Sequence, residues 1–476
     1  MNWEPVIGLE IHAQLSSNTK VWCNCEINTR AFENTKVCEV CSAQPGTLPY
    51  LNQKAVNYAL MASIALNCKV NKFSKFDRKN YFYPDLPKGF QITQFDIPVG
   101  ENGYLEIKDS EGKIKKVGIE RVQMEEDTGK SIHSGNSSLI NLNRAGTPLI
   151  EIVGKPDIKT AKEASGYFKN IQSILTYLGV CDGNMQDGNL RCDVNLSLRK
   201  KGTEKFGTRT EVKNLNSFRS VERAIEHEMQ RQAKILDDGG QVEQQTLLFD
   251  VDTGKTRVLR TKSDADDYRY FPEPDLMPLI VTDKYIEDIK KNLPELPVEK
   301  VKRFITEYKI PEYDAEVLSA DKELADYYEE AMKNYNGDAK KMSNWIMVEL
   351  LRFLNESSTP VSKSPIQASE MANLLKFIDD GKISGKQAKE VILDMYDNKS
   401  SASDSIKKLG VEQISDTSAL EAIAQKIVDD NPDQVEKYLS GKDRVFGFFV
   451  GQVMKETKGQ ANPGMVAKIL KEIIKK

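Results

Sequence analysis

The sequence predicts an α+β fold that gives way to helices. Three observations carry this. Up to about residue 290, β-branched alternating runs and glycine turns are mixed with a few helical patterns. LPELPVEK (293–300) then sets two prolines three residues apart, which breaks either pattern. Beyond it, apolar residues recur at spacings of three and four in ADKELADYYEEAMKNY, KKMSNWIMVELLRFLNE, QASEMANLLKFIDD and SGKQAKEVILDMY. A polar stretch, DNKSSASDS (397–405), separates these from two further helical segments that end in PGMVAKILKEIIKK. The expected domains are therefore 1–293, α+β; 294–400, all-α; and 401–476, a small helical tail.

Composition narrows the function classes. The 476 residues are 39% hydrophobic and 29% charged, with a formal net charge of −4, so a uniformly basic nucleic-acid binder is excluded. No apolar run reaches the length of about 18 residues that a membrane span needs. The opening residues, MNWEPVIGLEIH, run directly into a strand-like pattern, and the seven cysteines are clustered rather than spread. The expectation is a cytoplasmic protein without a membrane. Local charge differs from the mean. Residues 69–91 hold six Lys/Arg against two Asp, interleaved with aromatics, and residues 431–476 hold nine Lys/Arg against five acids. Such stretches suit phosphates and stacked bases, or else a solvated surface over an aromatic core.

Four of the seven cysteines, Cys23, Cys25, Cys38 and Cys41, fall in VWCNCEINTRAFENTKVCEVC as C-x-C and C-x-x-C. Two tight turns of this spacing bring four thiolates onto one Zn²⁺, and four sulfur ligands leave no position for water. The site is expected to be structural. Chemistry is expected from the acids instead. In VIGLEIHAQL, alternation puts Glu10 and His12 side by side on one strand face, opposite Ile7, Leu9 and Ile11. QMEEDTGK places Glu125 before a glycine turn, and GTPLIEIVGKPD sets Glu151 in an apolar strand. An acid there is costly to desolvate unless it is paired, with Arg144 or Lys155 for example, or held by a metal. Acids from separate strands make an oxygen cage for Mg²⁺, and a histidine among them suits Mn²⁺. DTGKS and DTGKT end like phosphate loops, but Met124 and Phe249 stand where the first glycine belongs, so neither is one.

Taken together, VIGLEIHAQL, KFDRKNYFYPDLPKGFQITQFDIPVG, MEEDTGKSIH, NRAGTPLIEIV, LRCDVNLSLR, GTRTEVKNLNSF, DYRYFPEPDL and FVGQVMKETKGQANP resemble the B subunits of the glutamyl/aspartyl-tRNA amidotransferase, in order from residue 6 to residue 463. The resemblance implies an N-terminal cradle domain with a zinc knuckle, a helical domain and a tRNA-binding tail. It implies that the side-chain carboxylate of Glu-tRNA(Gln) or Asp-tRNA(Asn) is phosphorylated by ATP and then amidated with ammonia. Glu10, His12, Glu125 and Glu151 fall on the family's acidic, metal-binding positions. Lys79, Tyr81, Tyr83 and Lys88 fall in the stretch that would face ATP or the tRNA 3′ end. Asn143, Arg144, Arg191, Asp193, Lys213 and Asn216 fall in motifs that would line the same pocket.

The chain departs from the family pattern at Gln123, Asn141 and Gln186–Asp187. It contains no recognisable amidase constellation, so the resemblance implies a separate glutaminase A subunit as ammonia source and a small C subunit that clamps the two together. The competing readings are a non-catalytic, zinc-containing tRNA-binding adaptor, in which the acids are structural ion pairs, and a metal-dependent hydrolase of charged RNA.

Overall fold

The computed structural model describes residues 2–261, 268–411, 417–457, 461 and 463–475, so the first residue of DYRYFPEPDL and part of KETKGQANP lie outside it. The chain folds as two units, Met1–Pro297 and Val298–Lys476.

The first unit is built on one nine-stranded sheet. Its strands, in chain order, are β1 (Trp3–Gln14), β2 (Lys69–Val70), β3 (Gly100–Lys108), β4 (Ile114–Glu126), β5 (Pro148–Gly154), β6 (Leu190–Lys200), β7 (Thr210–Leu215), β8 (Gln245–Asp250) and β9 (Lys255–Thr261). They lie side by side as β9-β8-β7-β6-β1-β5-β4-β3-β2. Every neighbouring pair is antiparallel except β7 with β8. Thus β1 runs through the middle of the sheet, clasped by β5 and β6.

The alternation of β1 is realised as the sequence predicts. Ile7, Leu9, Ile11 and Ala13 are buried beneath the helices α1 (Gln53–Ala65), α2 (Ala161–Tyr177) and α3 (Phe218–Asp237). Ile150, Ile152, Leu190, Val194 and Leu196 extend this core on either side, each full burial worth about 2 kcal/mol. Glu10, His12 and Gln14 project from the other face. The start of α1 is tied to the exit of β1, because Asn52 caps the helix at Lys54 and Ala55 while its amide donates to the Thr19 and Lys20 carbonyls. Three short strands make a second sheet, with Asp77–Asn80 between Phe90–Thr93 and Phe271–Pro272.

The described residues of the second unit form helices and connecting turns. Phe304, Tyr328, Ile346, Met371, Val391 and Met395 are buried. The helix Ala402–Leu409 packs back on Ala368–Asp379 and Gly385–Asn398, with Lys408 paired to Asp394 at 2.7 Å. A second core gathers Leu420, Phe449, Val453, Val466 and Leu470 from the last helices.

Candidate active site and metal centre

Strand register builds the site. On the face away from the helices, Gln123 of β4, Glu151 of β5, His12 of β1 and Arg191 of β6 stand in one cross-strand row. One step along β1, Glu10 lies opposite Asp193. His12 Nε2 is 3.5 Å from Glu10 Oε1 and 3.7 Å from Glu151 Oε2. One ligand atom from each of these three residues lies within 4.8 Å of the others, which is the spacing of a metal site. Glu125 is buried beside them. Its carboxylate accepts from Thr93 Oγ1 at 3.1 Å and sits 3.5 Å from Lys79 Nζ. Glu151 in turn accepts from Gln123 Nε2 at 3.1 Å. Arg144, a candidate partner for Glu151 on sequence spacing, instead donates to the Thr128 and Gly129 carbonyls and lies 3.8 Å from Asp127.

Charge in this cluster is unbalanced toward the negative. Burial, reinforced by Asp193, raises Glu10 above the ordinary carboxylate range. Burial with Glu10 and Glu125 nearby raises Glu151 well above it. His12 is held well below the usual imidazole value by burial and by Arg191, Lys213 and Lys79, so it is a neutral ring with a lone pair to offer. Carboxylates pushed up by their own crowding mark a place where a cation relieves the repulsion. The two carboxylates and one neutral imidazole that converge, with Glu125 beside them, suit Mg²⁺ by their oxygens and Mn²⁺ by the nitrogen.

Cations ring the cluster. Burial opposes the charge on Lys79, yet Glu125 and Glu151 outweigh it and raise its pKa. Lys213 pairs with Asp193 at 2.9 Å and Glu211 at 3.0 Å. Arg191 lies 3.3 Å from Asp127, which also accepts from Gln14 at 2.6 Å. The remaining sequence candidates stand further from the acids. Tyr81 donates to Gln91 at 2.6 Å, and Tyr83 is exposed. Lys88 is committed to the buried Glu126. Asn143 is buried against the cysteine loop, donating to the Phe32 carbonyl at 2.9 Å and accepting from Lys36 N–H at 2.9 Å. Asn216 is exposed at the end of β7.

Two aromatic residues escape the sequence reading. Tyr268 and Tyr270 come from the DYRYFPEPDL segment; Lys79 Nζ sits 5.2 Å above the Tyr268 ring, and Tyr270 stacks on Phe95 at 4.0 Å. Their spacing of two residues was the available signal, since it places both on one side of an extended segment.

The cysteines form a separate centre. Cys25 and Cys38 lie 4.0 Å and 3.9 Å from Cys41, sulfur to sulfur, and all four thiols fall within 4.8 Å of one another. A Zn–S bond of about 2.3 Å implies a tetrahedral edge of about 3.8 Å, so the four sulfurs fit zinc. The Cys38 N–H donates to Cys41 Sγ at 3.2 Å. Hydrogen bonding within the cluster draws the Cys41 thiol down to about 4, against the pull of burial and with help from the Cys38 N–H and Lys20. Burial pushes the Cys25 thiol up to about 12. This uneven sharing of protons is what a metal replaces when four thiolates bind it.

Comparison with known proteins agrees with this anatomy. Residues 5–287 match the model of the GatB/GatE catalytic domain, and residues 326–474 match that of the GatB domain. The chain is 52% identical over 475 residues to the B subunit of the aspartyl/glutamyl-tRNA(Asn/Gln) amidotransferase of Persephonella marina, covering 100% of each. It is 50% identical over 473 residues to the protein of the same name from Trichlorobacter lovleyi, and 51% over 474 residues to that from Thioalkalivibrio sulfidiphilus, covering 99% of each chain in both cases. With its catalytic-domain match spanning the sheet that carries Glu10, His12 and Glu151, this chain belongs to the GatB/GatE family.

Proposed function

We propose that this chain is the B subunit of a tRNA-dependent amidotransferase, which converts the side-chain carboxylate of Glu-tRNA(Gln), Asp-tRNA(Asn) or both to the amide. The reading rests on one observation above all: Glu10, His12 and Glu151 converge on one sheet face with Glu125 and Lys79 beside them. The names of its relatives support it.

The reaction divides into two displacements. A substrate carboxylate oxygen attacks the γ-phosphorus of ATP and ADP leaves, giving an acyl phosphate. Ammonia nitrogen then attacks the acyl carbon, phosphate leaves, and the nitrogen gives up a proton. The first step exists because oxide is too poor a leaving group for ammonia to displace. Glu10, His12, Glu125 and Glu151 would hold Mg²⁺ or Mn²⁺, which neutralises charge on the transferring phosphoryl group. Lys79 and Arg191 add fixed positive charge at the rim. Tyr268 and Tyr270 offer faces for the terminal adenosine of the tRNA or the base of ATP. Ammonia would come from a glutaminase A subunit held in place by a small C subunit. The basic residues of the tail would dock the tRNA in a salt-sensitive way. No described helix is long and apolar enough to cross a membrane.

The test uses the chain assembled with its A and C subunits, Glu-tRNA(Gln), ATP, Mg²⁺ and ammonium, following ADP and Gln-tRNA together. Wild type is expected to form both, and Glu125→Gln to bind tRNA but form neither. Wild type that binds both Glu-tRNA(Gln) and Asp-tRNA(Asn) yet never consumes ATP would leave the adaptor reading standing.

A further inference from the structure

Lys20 lies between the cysteine knuckle and the turn that follows the hairpin Lys130–Asn141, and no solvent reaches it; it is among the largest fully buried side chains in the molecule. A buried ammonium is tolerated only with a compensating anion. Among the described residues no carboxylate comes within ion-pair distance of its Nζ. Nζ donates instead to Cys41 Sγ at 3.4 Å and to the Leu142 carbonyl at 3.2 Å. Four thiolates around Zn²⁺ carry two net negative charges, and Lys20 brings one positive charge to that shell.

The second contact leads toward the acid cluster. Leu142 N–H donates to Asn34 Oδ1 at 2.7 Å and Asn34 Nδ2 to the Ile140 carbonyl at 2.9 Å, fastening the loop between the cysteine pairs to this turn. Two residues on, Arg144 holds the Thr128 and Gly129 carbonyls at 2.9 and 2.7 Å. The chain then turns through Gly146, whose φ of +80° favours glycine; a Cβ there would lie 3.5 Å from Lys20 Cδ, in ordinary contact. Gly146 N–H donates to the Asp127 carbonyl, and Asp127 N–H to that of Thr147, both at 2.9 Å. The Asp127 carboxylate ends the series on Gln14 and Arg191, the latter opposite His12.

We infer that Lys20 is a positioning residue with two tasks: it balances the charge of the four-thiolate metal centre, and it transmits the presence of that metal to the 127–147 segment that braces the acid cluster. With the metal removed the four sulfurs no longer hold one another in place, so Cys41 and the Lys20 ammonium bonded to it lose their fixed seat, and the turn at Leu142 loses its anchor. This holds whichever reaction the acid cluster performs, because it concerns only how two parts of one sheet domain are fastened together.

The experiment compares wild type, Lys20→Met and Lys20→Arg in the full chain assembled with its partner subunits. Zinc release to a chromophoric chelator and amide hydrogen exchange at Asp127, Gly146 and Thr147 are read together, before and after metal removal. Removing zinc from wild type is expected to speed exchange at those three amides. Lys20→Met is expected to lose zinc roughly 10–100-fold more readily, the usual scale for a lost partner of a metal ligand, and to exchange faster even with zinc bound. Lys20→Arg, which keeps the charge, is expected to recover most of the zinc retention. Zinc held as tightly by Lys20→Met as by wild type would overturn the charge-balancing role. Unchanged exchange at the three amides after metal removal from wild type would overturn the transmission. Should Lys20→Met fail to fold, the shorter neutral Lys20→Gln takes its place with the same two readouts, and the wild-type comparison with and without zinc stands on its own.

Discussion

Glu151 stands directly across the β1–β5 ladder from His12, and the two side chains meet with 3.7 Å between Nε2 and Oε2. A carboxylate buried against a neutral imidazole and two further acids is stable only when a cation or a proton joins it. Glu151→Gln keeps the shape, and Gln123 can still donate to its carbonyl. Amide formation is expected to fall by roughly 10²-fold or more. Thermal melting separates this from misfolding. Mg²⁺ or Mn²⁺ should raise the Tm of wild type and leave that of Glu151→Gln unmoved, while the metal-free variant should melt above metal-free wild type.

Lys79 and Lys88 are expected to fail in different ways. Lys88 and Glu126 form a buried pair, so Lys88→Met strands a carboxylate and should cost about 3 kcal/mol of stability, read from denaturant midpoints. Lys79 faces Glu125 from the rim of the cluster. Lys79→Met also strands a buried carboxylate, so it should lower the denaturation midpoint and, unlike Lys88→Met, also depress ADP formation in the transamidation assay beyond any loss of folded protein.

Metal removal has a countable outcome at the knuckle. Cys181 and Cys192 are buried and Cys68 is partly so, and a bound zinc would mask the other four. Titration with a thiol reagent should therefore release four rapidly reacting thiols per chain on adding a chelator, together with one equivalent of zinc. Cys41→Ser should abolish both signals. Four rapidly reacting thiols before any chelator is added would rule out a loaded knuckle.

A pH effect is expected at the opposite end of β1. Bonds from Lys159 at 2.7 Å and Arg199 at 2.9 Å lower the Glu4 carboxyl to about 2 from an ordinary 4.5. A depressed folded-state pKa contributes stability above the unfolded value and loses it as pH falls toward the folded one. Wild type should thus exceed Glu4→Gln in unfolding midpoint above pH 4.5. The gap should close as pH falls to about 2.

The sequence discloses most where one local rule suffices. The period-two alternation of VIGLEIHAQL is enough to put Glu10 and His12 on one face, and the cost of burying Glu151 marks it as a group in need of a partner. Cysteine spacing is enough to pair the two turns of the knuckle. What resists reading is whatever depends on a partner distant in the chain. Nothing local tells that Lys88 spends its charge on Glu126 while Lys79 meets Glu125, because adjacent acids on a strand face opposite ways and register alone decides which lysine meets which. Asn143 and Arg144 sit in a motif beside Glu151 in sequence, yet their hydrogen bonds hold the cysteine loop and the 128–129 turn. Tyr268 reaches Lys79 from the far end of the sheet domain's sequence, and no periodicity spans that distance.

The strand order also dictates a schedule. β1 leaves the ribosome first, but its neighbours β5 and β6 begin only at Pro148 and Leu190. At 5–20 residues per second, that is a wait on the order of ten seconds during which a strand with one wholly apolar face has neither edge paired. Pairings this distant in sequence are slow to close even afterwards. Half of the acid cluster is therefore made early and stays unassembled until β5 has been synthesised, and β1 keeps one bare edge until β6 follows.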